Sequence, residues 1–200
     1  MRLLEAIVDA NHRALAGDER AGLRPADFAG SLPVVVLTCF DPRLHALMPE
    51  VLGVPERDFL WLTNAGAVVT GPQSETARAV ALACAVEGGR EVVVLGHTDC
   101  RLFAPDRREA VARFRQNGAD LGAAATALDD FLRPLFNERL SVATAVGHLR
   151  ASPFLPLAIP VHGLIVDTDT GRLDWVVNGY GVSSPPARQA PLPPAGAGLP

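Results

Sequence analysis

Short apolar runs alternate with amphipathic segments along the first half of the chain. The runs are rich in β-branched or aromatic residues and too short for buried helices, so they predict strands. The predicted strands are 34–38, 59–63 and 92–96. The other segments carry apolar residues at helical spacing. The predicted helices are 1–17, 44–52 and 75–87. This alternation predicts an α/β fold, with an open, mainly parallel β-sheet flanked by helices.

The third predicted helix has clear end signals. Ser74 is a suitable N-cap residue, and Gly88 and Gly89 follow the last residue of the helical pattern. One apolar stripe with helical spacing is expected to face the sheet. It includes Ala79, Leu82, Ala83 and Val86.

The second half of the chain is predicted to be mixed. Residues 105–150 suggest helices with breaks near Gly118 and Pro134. Residues 162–177 suggest a pair of strands joined by a turn at 169–171.

The end of the chain differs in composition from the rest. Six prolines fall within residues 183–200, a composition that does not favour a packed core. The sequence therefore predicts one domain over 1–182 and a disordered tail over 183–200.

Composition and charge exclude several classes of function. The 200 residues are 48% apolar and carry a net charge of only -4, which provides for a core but not for binding nucleic acid or an anionic membrane. No apolar run is long enough to span a bilayer, and Glu5 and Asp9 interrupt any signal-peptide pattern. We expect a cytoplasmic protein. In the reducing cytoplasm, cysteines serve more often as metal ligands, catalytic residues or core residues than in disulfides.

Candidate chemistry lies just after the predicted strands. Cys39, Asp41 and Arg43 follow the first strand, and His97 and Cys100 follow the third. The carboxyl ends of parallel strands meet at one edge of a sheet, where sites form. Two thiolates and one imidazole are a known donor set for catalytic zinc.

Each of these residues also has a purely structural interpretation. Cys39 and Cys100 taken singly could be small core residues, and Cys84, in a helix among alanines, is expected to be one. Asp41 and Arg43 could form an ordinary ion pair. The other histidines have no partner pattern and are expected to be structural or exposed. They are His12, His45, His148 and His162.

The motifs together resemble those of the β-class carbonic anhydrases. The similarity rests on Cys39-Phe40-Asp41-Pro42-Arg43, on Asn64-Ala65-Gly66, on Gly96-His97-Thr98-Asp99-Cys100 and on the later segment HGLIVDTDTGRL. It covers roughly residues 30–180.

The resemblance implies a specific reaction and set of roles. Cys39, His97 and Cys100 would bind Zn²⁺, and zinc-bound hydroxide would convert carbon dioxide to bicarbonate. Asp41 and Arg43 would form a catalytic dyad, with Asp41 a possible fourth zinc ligand in a closed state. The family also implies a homodimer or homotetramer, with the N-terminal helix packed on a partner subunit. No separate cofactor-binding residues are expected.

Simple electrostatics refines this expectation. Zinc held by three histidines lowers the pKa of its bound water to about 7. Two thiolates offset the metal charge, so hydroxide should form at a higher pH here. Arg43 would keep Asp41 ionised, which suits it to orient the nucleophile rather than to act as the main base. Phe40, Val68 and Leu102 are candidate apolar walls for the substrate.

Two departures from the family pattern leave alternatives open. Thr63 replaces the usual arginine before Asn-Ala-Gly, and Arg101 replaces the usual glycine after the second cysteine ligand. A carbonyl sulfide or carbon disulfide hydrolase on the same scaffold, or a non-catalytic zinc-binding homologue, would also fit. A redox module that uses Cys39 and Cys100 is a further alternative. No G-x-G-x-x-G motif follows a strand, which argues against a dinucleotide site.

Overall fold

A five-stranded sheet forms the centre of the structure, a computed structural model that describes residues 1–103, 107–122 and 137–181. The strands are β1 (Val34–Cys39), β2 (Phe59–Asn64), β3 (Glu91–His97), β4 (Val161–Val166) and β5 (Leu173–Val177). Their order across the sheet is β2-β1-β3-β4-β5. All neighbouring pairs are parallel except β4–β5, which is antiparallel. The predicted open, mainly parallel sheet is therefore confirmed.

Burial explains why the three middle strands are mainly apolar. Every residue of β1, β3 and β4 is buried, as expected for strands covered on both faces. The edge strands β2 and β5 are only partly buried. The late strand pair predicted within 162–177 is also confirmed, and Gly171 adopts a positive φ of 72° in the connecting turn.

Helices pack on both faces of the sheet. The described helices are α1 (Leu3–Leu15), α2 (Pro42–Leu52), α3 (Glu75–Val86), α4 (Arg107–Gln116) and α5 (Glu138–Ala151), of which α1, α2, α3 and α5 form these layers. One apolar core lies between the sheet and α1 and α2, and a second lies between the sheet and α3 and α5. The predicted break near Gly118 is confirmed, since α4 ends just before it and its φ is 86°. The break predicted near Pro134 lies outside the described residues.

The first helix packs on its own chain. Its apolar residues Leu3, Leu4, Ile7 and Val8 are buried in the core that it shares with α2. Asn11 joins it to the sheet, because its side chain donates to the Gly171 carbonyl at 3.0 Å and accepts from the Leu173 N–H at 2.9 Å. Packing of α1 on a partner subunit stays a prediction.

The apolar face predicted for α3 is wrong. Ser74 does cap the helix, since its Oγ accepts from the Ala77 N–H at 3.3 Å. The expected face, however, leaves Leu82 47% and Val86 71% exposed. A parallel stripe with the same helical spacing is buried instead. It consists of Ala77, Val80, Ala81 and Cys84.

Close helix–sheet approach gives a reason for two glycines in the middle strands. A β-carbon built on Gly96 would lie 2.6 Å from Val142 Cγ2, and one on Gly163 would lie 2.7 Å from Val142 Cγ1. Val142 belongs to α5 and is 1% exposed. Helix α5 therefore lies so close to β3 and β4 that only glycine fits at these positions.

No helix among the described residues is long and apolar enough to cross a bilayer. The tail predicted over 183–200 lies outside the described residues, so the predicted division of the chain stays a prediction.

Candidate metal centre

Three potential metal ligands meet at the carboxyl edge of the sheet. Cys39 is the last residue of β1, His97 is the last residue of β3, and Cys100 lies in the loop that follows β3. Because β1 and β3 are neighbours, one ligand atom from each of the three residues lies within 4.8 Å of the other two. All three residues are buried. The structure thus brings together the three residues that the sequence predicts as zinc ligands.

The ring of His97 is oriented for coordination. Its Nδ1 lies 2.9 Å from the Thr98 carbonyl oxygen, which can only accept, so Nδ1 carries the proton in the neutral ring. The Nε2 atom is buried and makes no hydrogen bond of ordinary geometry, although both cysteines are close. A buried nitrogen lone pair without a donor is costly in a protein interior. A metal ion would satisfy it.

The two cysteine side chains interact with each other, and this interaction shifts their pKa values in opposite directions. Hydrogen bonding from the Cys100 thiol, aided by His97 and the Gly66 N–H, outweighs burial and lowers the pKa of Cys39 to about 4. The same interaction, together with burial, raises the pKa of Cys100. A divalent cation bound here would favour the thiolate form of both cysteines. The soft sulfur donors and the single imidazole fit Zn²⁺ in type and number.

The Asn64-Ala65-Gly66 motif supports the first ligand. The Asn64 side chain donates to the Val68 carbonyl at 2.7 Å and accepts from the Val68 N–H at 2.9 Å, which closes a tight loop after β2. Gly66, at a φ of 73°, points its N–H at Cys39 Sγ over 3.4 Å. The motif therefore supplies a hydrogen bond to a ligand sulfur, a role that the sequence alone did not assign.

Asp41 and Arg43 form the pair that the sequence predicts. Arg43 Nε donates to Asp41 Oδ1 at 3.1 Å, and Nη2 donates to Oδ2 at 2.9 Å. The arginine lowers the pKa of the nearly buried Asp41 carboxyl to about 2. Asp41 is therefore an ionised acceptor near neutral pH and too weak a base to remove a proton from ordinary water.

Asp99 is a member of this network that sequence reasoning missed. Arg43 Nη1 donates to Asp99 Oδ2 at 2.9 Å, and Nη2 donates to the Asp99 carbonyl at 2.7 Å. Asp99 is one of two described non-glycine residues with a positive φ, here 51°. A signal was present in the sequence, because aspartate is among the few residues that tolerate this conformation.

The residues that depart from the family pattern lie outside the donor set. Thr63 is exposed on the edge strand β2, and Arg101 is exposed in the turn after Cys100. Of the candidate apolar walls, Phe40 is 53% exposed, whereas Val68 and Leu102 are partly buried. Their role as substrate walls stays a prediction.

The remaining cysteine and the described histidines have structural surroundings. Cys84 is buried in the core, and burial raises its pKa to about 11. His12 and His148 each contact a backbone carbonyl at 2.6 Å. His162 is fully buried beside Glu91, 3.5 Å away. The predictions for these residues are confirmed, while the His45 side chain lies outside the described part of the structure.

The fold and the donor set together define a candidate zinc-binding α/β protein, and comparison with known proteins identifies its family. The sequence matches the family model described as "Carbonic anhydrase" over residues 34–173. It is 29% identical over 183 residues to the protein named "Putative carbonic anhydrase YvdA" of Bacillus subtilis (strain 168), covering 88% of this chain and 92% of that one. The chain belongs to the β-class carbonic anhydrase family.

Two further comparisons add to this result. The crystal structure of carbonic anhydrase from Streptococcus mutans has a TM-score of 0.61 and 30% sequence identity, and covers 88% of this chain and 98% of that one. A carbon disulfide hydrolase of Acidianus sp. (strain A1-3) is 28% identical over 156 residues, covering 69% of this chain and 74% of that protein. This chain is thus similar both to a carbonic anhydrase and to a carbon disulfide hydrolase.

Proposed function

We propose that this protein catalyses the reversible hydration of carbon dioxide to bicarbonate, with Zn²⁺ held by Cys39, His97 and Cys100. The observation that carries this proposal is the pairing of two features at one sheet edge. A buried Cys-His-Cys donor set lies beside a bidentate Asp41–Arg43 pair. Membership of the β-class carbonic anhydrase family supports the same reaction.

The protein residues have distinct tasks in this proposal. Zinc, when bound, would act as a Lewis acid that makes a water nucleophilic near neutral pH, less strongly with two thiolate ligands than with three imidazoles. His97 presents Nε2 as a neutral donor because the Thr98 carbonyl holds the proton on Nδ1. The Gly66 N–H stabilises the negative charge on Cys39.

Asp41 acts as an acceptor in this proposal. Its carboxylate stays ionised because Arg43 binds both of its oxygens. A fixed, ionised carboxylate can accept a hydrogen bond from the attacking water and aim the oxygen lone pair at the carbon of CO₂. Arg43 holds Asp41 in that orientation, and the proton released in the reaction passes to solvent or buffer.

Stopped-flow CO₂ hydration by zinc-loaded protein, from about pH 7 to pH 9, tests the proposal. We expect one zinc per chain and turnover that rises with pH. Asp41→Asn should retain zinc and lose roughly a hundredfold in turnover, because the orienting carboxylate is gone. Asp27→Asn is the matched control, since Asp27 also pairs with an arginine but is exposed outside the metal centre. Zinc-loaded wild-type protein without turnover at any of these pH values would refute the assignment.

A second candidate is hydrolysis of carbon disulfide or carbonyl sulfide. It is favoured by the similarity to the Acidianus carbon disulfide hydrolase. These substrates are linear and apolar like CO₂, so the same residues could direct attack on the carbon. Release of hydrogen sulfide from carbon disulfide or carbonyl sulfide by the zinc-loaded protein, measured beside CO₂ hydration, separates the candidates.

The non-enzymatic alternatives make different predictions for the same protein. A homologue that uses zinc only for folding would show no turnover with any of the three substrates. A redox module would change its oligomeric state on oxidation of Cys39 and Cys100 without zinc. Assembly as a homodimer or homotetramer, and a cytoplasmic location, also stay predictions, and sedimentation analysis of the full chain tests the first.

A further inference from the structure

The arginine of the Asp41–Arg43 pair also binds a second carboxylate. Arg43 lies in the first turn of α2 and uses Nε and Nη2 for Asp41. It uses Nη1 for the Asp99 carboxylate and Nη2 also for the Asp99 carbonyl. Its guanidinium therefore joins two segments that are 56 residues apart, the end of β1 and the loop after β3.

Asp99 lies between two of the candidate metal ligands. His97 and Cys100 flank the short loop that contains it, and its backbone adopts a φ of 51°. Its side chain is 81% exposed, so it does not serve to fill the core. A strained, exposed residue that persists beside a site is held there by specific contacts. Here Arg43 makes contacts with both its side chain and its carbonyl.

We propose that Asp99 is a positioning residue that, through Arg43, locks the Asp41 carboxylate to the loop that carries His97 and Cys100. Without the Asp99 contacts, Arg43 would be tied only to Asp41, two residues away on the same segment. The pair could then move as a unit relative to the metal loop. When Arg43 contacts both Asp41 and Asp99, moving either segment would break the charge-assisted hydrogen bonds that join it to the other segment. This inference rests on the proposed function for its catalytic consequence, but not for its structural one.

A simpler interpretation is that aspartate is present only because it accepts a positive φ. Two substitutions separate the interpretations, because asparagine and glycine also accept this conformation. Asp99→Asn keeps the shape and removes the charge. Asp99→Gly keeps the backbone and its carbonyl contact and removes the side chain. If only the backbone conformation matters, both variants behave as the wild-type protein does.

The first measurement is the rate at which zinc-loaded protein loses zinc to a chelator in excess. We expect both variants to lose zinc about threefold to tenfold faster, the effect of one lost coupling between groups in contact. Asp27→Asn, which removes an exposed carboxylate from another arginine pair, should release zinc at the wild-type rate. Wild-type release rates in both Asp99 variants would overturn the proposal.

A double-mutant cycle then tests whether Asp99 acts through Arg43. In an Arg43→Ala background, Asp99→Asn should add little to the rate of zinc loss, because the partner is already absent. An undiminished effect would show that Asp99 acts on the loop alone and would contradict the proposed lock.

Activity supplies an independent readout. In CO₂ hydration the two Asp99 variants should lower kcat more than they change KM, since positioning of Asp41 is affected and substrate binding is not. If zinc-loaded wild-type protein has no such activity, the proposed function fails while the zinc-release comparison still decides the role of Asp99.

Discussion

Replacing Gly96 with alanine provides a quantitative test of how the fold places the metal loop. The added β-carbon would lie 2.6 Å from Val142 Cγ2, about 1 Å closer than a favourable carbon–carbon contact. Overpacking of this kind typically costs about 1–3 kcal/mol. Alanine also lowers the conformational entropy of the unfolded chain relative to glycine, which offsets up to about 1 kcal/mol of this cost. With both effects taken near the middle of their ranges, we expect Gly96→Ala to lower the free energy of unfolding by about 1–2 kcal/mol.

A compensating change in α5 makes the prediction specific. Val142→Ala removes the clashing methyl group and should itself cost about 2 kcal/mol, since two buried methyl groups are lost. The double variant should be at least about 1 kcal/mol more stable than the sum of the single changes. Gly147→Ala is the control in the same helix, where nothing lies within 4 Å of the new carbon. It should be neutral or stabilise by up to about 1 kcal/mol.

Urea unfolding of the metal-free variants measures these differences. The explanation would be refuted if Gly96→Ala were as stable as the wild-type protein, or if Val142→Ala failed to compensate. In either case the close approach of α5 to β3 would not be the reason for glycine before His97.

Three further predictions concern other parts of the chain. Cys39→Ser and Cys100→Ser should each lower bound zinc well below one per chain by elemental analysis, whereas Cys84→Ser, in the core, should retain it. Burial raises the pKa of Glu91, but the adjacent His162 ring and a hydrogen bond from the Tyr180 hydroxyl outweigh it, so the net pKa is lowered. Its stabilising effect is therefore present above the ordinary carboxyl pKa and is lost as the pH falls through the lowered pKa. In urea unfolding, the stability advantage of wild-type protein over Glu91→Gln should be constant near pH 7 and shrink as the pH falls below about 5. Ser74→Ala should cost about 1 kcal/mol in thermal or urea unfolding through loss of the α3 N-cap.

The parts of the structure that were predictable from the sequence depend on local patterns. A fully buried parallel strand is an apolar run, so β1 and β3 could be found directly, and polar residues at their ends could be assigned to one sheet edge. The donor set of Cys39, His97 and Cys100 follows from that placement.

The parts that were missed depend on tertiary contacts. Helix α3 carries two apolar stripes with the same spacing, and only packing on the sheet selects the one that contains Val80 over the one that contains Leu82. The placement of strand ends puts Arg43 and Asp99 at the same sheet edge, but which side chains pair there is decided by tertiary structure. The buried pair formed by Glu91 and His162 is likewise decided by tertiary structure.

The strand order explains why Thr63 and Arg101, the two departures from the family pattern, leave the donor set of Cys39, His97 and Cys100 in place. The metal loop after β3 is held from both sides, by Arg43 after β1 and by the β4–β5 turn, where the Thr168 N–H donates to Thr98 Oγ1 at 3.0 Å. The Gly66 N–H reaches Cys39 from the loop after β2. None of these contacts uses the side chain of Thr63 or Arg101, which are both exposed. Changes at these two positions should therefore leave the residues that would hold zinc in place.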